Sequence, residues 1–161
     1  MALGEGDKLP AGNLLELTDN GPAQVDLADY ATGRVAIFAL PGAYTGTCST
    51  AHVPSFIRTA DAFRAKGVDR IVCVSVNDPF VMGAWRSATG ADKAGLTFLS
   101  DADGSFTKAM GMNFDAPPAG LFGRSKRYAM LIEDGTITAL NIEESPGQCD
   151  ISGGEALLDR A

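Results

Sequence analysis

Two six-residue runs, Val35-Ala36-Ile37-Phe38-Ala39-Leu40 and Ile71-Val72-Cys73-Val74-Ser75-Val76, are almost wholly apolar. A strand with one wet face alternates apolar and polar residues; an unbroken apolar run is covered on both faces, as central parallel strands are. Pro41 ends the first run and Asn77-Asp78-Pro79 the second, and helical spacing follows each. After the first, Val53, Phe56, Ile57, Ala60 and Phe63 share a face up to Lys66-Gly67, with Pro54 expected to force a kink or a short first turn. After the second, Asp78 reads as an N-cap with Pro79 at the first helical position. Two buried strands, each handing over to a helix, make this an α/β chain with a mixed sheet.

The remaining segments extend that sheet. Leu14, Leu15 and Leu17 give a first strand that Gln24 to Leu27 can pair with across Asp19-Asn20-Gly21-Pro22. Leu96 to Ser100 is a third buried strand, and a short helix surrounds Phe106 to Met110. Met112 to Gly120, with Pro117-Pro118, reads as a loop. Arg127 to Glu133 and Thr136 to Ile142 form a hairpin about Asp134-Gly135, and a last helix runs from Ser152 or Gly153 to Arg160. No repeat, low-complexity stretch or linker divides the chain, so residues 1–161 read as one domain in a thioredoxin-like arrangement, a central mixed β-sheet flanked by helices.

The net charge of −7 argues against nucleic acid or an anionic membrane surface as partner. No apolar run is long enough to span a bilayer, and the first residues lack the basic and apolar regions of a secretory signal. Three widely spaced cysteines without a CxxC pair suit neither a disulfide scaffold nor a zinc site, and the single histidine excludes a multi-histidine metal centre. No metal or bound cofactor is expected. A reducing, cytoplasmic setting is the default expectation, and a reactive cysteine is the live question.

Cys48 stands where the first buried strand gives way to its helix. A helix start offers unpaired N–H groups and partial positive charge, which stabilise a thiolate. Thr45 precedes the cysteine by three residues, Thr47 adds a backbone N–H, and His52 lies one turn further on. A buried, inert thiol is the competing reading.

Pro41-x-x-x-Thr45-x-x-Cys48 resembles the active-site motif of the peroxiredoxins, and Pro41-Gly-Ala-Tyr-Thr-Gly-Thr-Cys-Ser-x-x-His52-x-Pro54 is similar to the peroxiredoxin-5 (type II, atypical) branch. The likeness continues through Ser75 to Trp85, Phe98 to Asp101, Lys126 to Met130 and Ala139 to Glu143. It implies a thiol peroxidase in which Cys48 attacks hydrogen peroxide or an alkyl hydroperoxide and becomes a sulfenic acid. By the same resemblance Thr45 orients the peroxide and hydrogen-bonds the sulfur, Pro41 walls the pocket, and Arg127 supplies a fixed cation. Lys126 and Arg124 read as ordinary surface charges. Many relatives carry proline where this chain has Gly46, so the loop is expected to be looser.

Other roles stay open. His52 is either a pocket group or a helix-face histidine satisfied by a nearby carbonyl. Cys149, in a Pro-Gly loop among Glu143, Glu144 and Asp150, is the first candidate for the resolving thiol, its neighbours opposing ionisation. Cys73, inside an apolar strand, is the second, with inert packing the competing reading. Glutathione or glutaredoxin attacking Cys48 directly is a third route, and thioredoxin is a further reductant. Phe80 and Phe122 are candidates for a homodimer interface, against core packing. A redox sensor that relays its oxidation to a partner protein is the alternative to an enzyme.

Overall fold

The computed structural model describes residues 3–161. Its centre is a seven-stranded mixed sheet. The apolar runs supply the middle: β3 (Arg34–Leu40) lies parallel to β4 (Arg70–Ser75), which lies parallel to β5 (Thr97–Ser100). On one side the hairpin of β1 (Asn13–Thr18) and β2 (Gly21–Asp26) joins through a single antiparallel pair, Leu15 with Ser100. On the other, β8 (Tyr128–Glu133) runs antiparallel to β3 and carries β9 (Thr136–Ile142). Asp134 and Gly135 at that turn have φ of 46° and 83°, the left-handed pair that a two-residue hairpin with matching twist requires.

The period-two alternation of β3 divides the core. Ala36, Phe38 and Leu40 face the layer of α2 (Val53–Ala65), α3 (Pro79–Thr89) and α5 (Gly154–Leu158). Val35, Ile37 and Ala39 face the layer of α1 (Leu27–Tyr30) and α4 (Ser105–Ala109). Cys48 and Cys73 both belong to the first layer. There Phe38 stacks on Phe56 with centroids 4.1 Å apart, a contact worth about 1 kcal/mol beyond the area it buries. It locks the start of α2 onto β3, and so fixes the height of Cys48 above the sheet.

Two expectations are corrected, and one competing reading falls. Met112 to Gly120 is no plain loop: β6 (Asn113–Ala116) and β7 (Leu121–Ser125) pair antiparallel around a 3₁₀ turn at Pro117–Ala119. The helix after Cys48 begins as a π turn, Cys48–His52, closed by the Val53 N–H on the Cys48 carbonyl, and Pro54 sits in the first turn of the regular helix that follows. Neither Phe80 nor Phe122 packs in the core; they are 62% and 65% exposed. Asp78 does cap α3, accepting from the Val81 N–H.

Candidate active site

The loop between β3 and the π turn is braced from both sides. The Ala43 N–H donates to Asn77 Oδ1 at 2.9 Å, and Arg124 Nη1 donates to the Pro41 carbonyl at 3.1 Å. Tyr44 adopts a φ of 63°, which a bulky side chain enters only under strain, so the turn depends on those braces. Arg124 is therefore half-buried and tied to the loop, where the sequence suggests a surface charge.

Cys48 is fully buried at the start of the π turn. Arg127, just before β8 and 2% exposed, brings Nη2 to 3.1 Å from its Sγ. Nε and Nη2 of the same guanidinium donate to the Pro146 carbonyl at 3.1 and 2.9 Å, and Nη1 meets His52 Nδ1 at 3.0 Å. Arginine only donates and a carbonyl only accepts, so His52, with Nε2 at 2.9 Å from the Ser152 carbonyl, is neutral with its proton on Nε2. Burial first, and the Arg127 charge second, pull its pKa down to about 3. Among the described residues the ion pairs join Arg58 to Glu155, Arg64 to Asp61 and Arg160 to Glu5, and none involves Arg127. A buried cation without a carboxylate has one partner able to carry negative charge, the sulfur.

A cavity of about 270 Å³ opens onto this cluster, with Pro41, Thr45 and Gly46 on one wall, Ala116, Ala119 and Leu121 of the β6–β7 hairpin on the other, and Arg127 between. A larger cavity of about 450 Å³, near Leu9, Asp26 and Asp134, shares no residue with the cluster. Chemistry rather than size marks the site.

A redoxin family model matches residues 4–158. Peroxiredoxin-2C of Oryza sativa subsp. japonica is 46% identical over 155 residues, covering 95% of this chain and 94% of its own length. The chain belongs to the peroxiredoxin family. The mitochondrial peroxiredoxin-2F of Arabidopsis thaliana is 46% identical over 133 residues, 82% of this chain, and this chain spans 66% of its length. Reduced Prx3 of Vibrio vulnificus, solved in complex with hydrogen peroxide, superimposes with a TM-score of 0.90 at 44% identity over 98% of each chain.

In this peroxiredoxin the expected residues converge unequally. Pro41, Thr45, Thr47 and Arg127 line one cavity, and His52 touches Arg127 from behind. Thr45 does not reach the sulfur with its proton: Oγ1 donates to the Gly42 carbonyl at 2.7 Å. Thr47 Oγ1 donates to the Gly147 carbonyl at 3.0 Å, tethering the loop that carries Cys149. Cys149 is half-buried rather than exposed, and burial is the main reason its thiol is pushed up; Glu143 and Asp150 add to this while Ser152 and Arg127 oppose it. Cys73 is buried completely, and burial pushes it well up. Of the two readings of His52, the ring nitrogen on the Ser152 carbonyl matches the second; the ring lines no wall of the cavity and meets the site only through Arg127. Two participants have no signal in the sequence: Arg124, and Pro146, whose carbonyl grips Arg127. A backbone acceptor is independent of residue type.

Proposed function

We propose that this peroxiredoxin reduces hydrogen peroxide and small alkyl hydroperoxides through Cys48. The observation that carries the reading is the buried Arg127 guanidinium 3.1 Å from Sγ, with no ion pair to a carboxylate among the described residues. Cys48 as thiolate attacks the terminal peroxide oxygen. A sulfur–oxygen bond forms, the O–O bond breaks, and the departing oxide takes a proton to leave as water or alcohol. Arg127 stabilises the charge on that oxide. Thr45, its own proton spent on Gly42, accepts the peroxide O–H and so orients the substrate. The peroxide bound by the Vibrio Prx3 supports the substrate class.

A second thiol then attacks the sulfenic sulfur and expels water, giving a disulfide that external dithiols reduce. Cys149 is the favoured internal partner because its loop already touches the site through Gly147 and Pro146. Glutathione, glutaredoxin or thioredoxin supplies the reducing electrons. The chain is assigned to the type II branch on its Pro41-to-Pro54 motif, and to a homodimer whose contact includes Phe80 and Phe122, both exposed beyond what a lone surface aromatic needs.

Peroxide consumption followed with each reductant in turn tests the reading. Sustained turnover is expected, abolished in Cys48→Ser. Consumption of one equivalent and no more would mark a redox sensor; turnover retained by Cys48→Ser would remove Cys48 from the chemistry.

A further inference from the structure

Resting on the reading of Cys48 and Arg127 above, we propose that Glu143 is a positioning residue for the peroxide reaction, holding Arg127 on the sulfur through Ser152 and His52. A guanidinium is a planar fork, and its aim depends on what receives each edge. One edge of Arg127 meets the Pro146 carbonyl, and the other, Nη1, meets His52 Nδ1 at 3.0 Å. That nitrogen accepts only while the ring proton stays on Nε2, which the Ser152 carbonyl secures at 2.9 Å. The place of Ser152 thus sets the tautomer and tilt of His52, and through them the second edge of Arg127.

Glu143 fixes Ser152. Its Oε2 receives the Ser152 N–H at 2.7 Å, the Ser152 hydroxyl at 2.6 Å and the Asp150 N–H at 2.7 Å, while the side chain lies among the buried polar groups of the chain. Three donors converge on one carboxylate oxygen, a crowding that an amide oxygen, with no net charge, accepts less strongly. The Glu143 N–H in turn donates to the Arg127 carbonyl at 3.0 Å. The contacts therefore close a ring: Arg127 backbone, Glu143, Ser152, His52, Arg127 side chain. Glu143 lies just past the end of β9 and is off the wall of the 270 Å³ cavity, while with Arg127 and Pro146 it borders a second cavity of about 440 Å³; its hydrogen bonds lead to Cys48 through Arg127.

The test is a double-mutant cycle on the full chain. The second-order rate of Cys48 with hydrogen peroxide is read by stopped-flow fluorescence of Trp85, the only tryptophan, for Glu143→Gln with Arg127 present and with Arg127→Ala. Glu143→Gln is expected to slow the reaction on the order of tenfold when Arg127 is present, as for one weakened charge-assisted hydrogen bond, and to change nothing further without it. Equal slowing in both backgrounds would make Glu143 a mere loop support, and no slowing in either would also overturn the proposal. If Glu143→Gln fails to fold, Ser152→Ala, which deletes one of the three donors and keeps the carbonyl, takes its place in the same cycle. Slowing confined to the Arg127 background then supports the relay, and equal slowing or none overturns it. Cys48→Ser, run alongside, keeps the outcomes separate: peroxide consumption surviving that change refutes the reading of the site, whereas its loss together with an unaffected Glu143→Gln refutes only the relay.

Discussion

Arg127→Ala isolates the group on which the chemistry depends. In the folded chain Nη2 lies 3.1 Å from Cys48 Sγ at the edge of the cavity. A preorganised donor aimed at charge that develops in the transition state is worth about 2.7–4 kcal/mol in comparable sites. At about 1.36 kcal/mol per factor of ten, that is a loss on the order of 10² to 10³ in the second-order rate with peroxide. Stability responds differently: the Pro146 carbonyl and His52 Nδ1 lose their donors, at about 1–3 kcal/mol each, but the desolvation cost of burying the Arg127 charge disappears with them. The variant is therefore expected to stay folded, with a thermal midpoint within several degrees of the parent and a rate reduced by at least about tenfold. Arg127→Lys is expected to recover little, because one ammonium cannot span three acceptors held in a plane. Stopped-flow fluorescence gives the rate and circular dichroism the fold. A folded Arg127→Ala protein reacting within about threefold of the parent would refute the role given to the guanidinium, because a donor worth even about 1.4 kcal/mol costs tenfold.

Other outcomes follow from the same contacts. His52 titrates at about 3 when folded against 6.5 for the free side chain, so below pH 6.5 the unfolded chain binds a proton that the folded chain refuses. Its contribution is thus complete above pH 6.5 and drains away toward pH 3, by at most about 1.4 kcal/mol per pH unit; His52→Asn should flatten that part of the slope in urea titrations between about pH 7 and 4.5, and an unchanged slope would contradict the buried neutral ring. Cys73→Ser should leave peroxide turnover intact and lower stability by about 1–3 kcal/mol, the cost of a hydroxyl without a partner in a sealed strand; lost turnover with a normal first peroxide reaction would instead make Cys73 the resolving thiol. Gly46 has open space where a Cβ would stand and does not need a left-handed backbone, so Gly46→Ala should stabilise the fold by about 0.4–1 kcal/mol in denaturant titrations; destabilisation would show that the loop needs glycine.

The central strands were legible because an apolar run without alternation has few other uses, and Val35–Leu40 and Ile71–Val76 became β3 and β4 almost residue for residue. The β6–β7 hairpin was not: its first strand has four residues, and Pro117-Pro118 imitates a loop at the point where the chain merely reverses. The π turn at Cys48–His52 escaped for another reason, since five residues of wider helix share the apolar spacing of an α-helix within the tolerance of so short a stretch. At the site, the place of Cys48 at a strand end left a reactive and an inert thiol evenly balanced, and Arg127 came only from family resemblance. Alone, a cation beside a strand reads as a solvated charge. What buries it are a carbonyl 19 residues later and an imidazole 75 residues earlier, and neither separation has a periodicity to find. Thr45 illustrates the opposite limit, because its presence was readable and the direction of its proton was not.

The chemistry assigned to Cys48 is tested most directly by one equivalent of hydrogen peroxide added to the reduced protein in the presence of dimedone, followed by peptide mass mapping. Dimedone on Cys48, or a disulfide from Cys48 to Cys149 when the trap is omitted, is the expected result. Oxygen or dimedone on Cys73 or Cys149 with Cys48 left as a free thiol would contradict it.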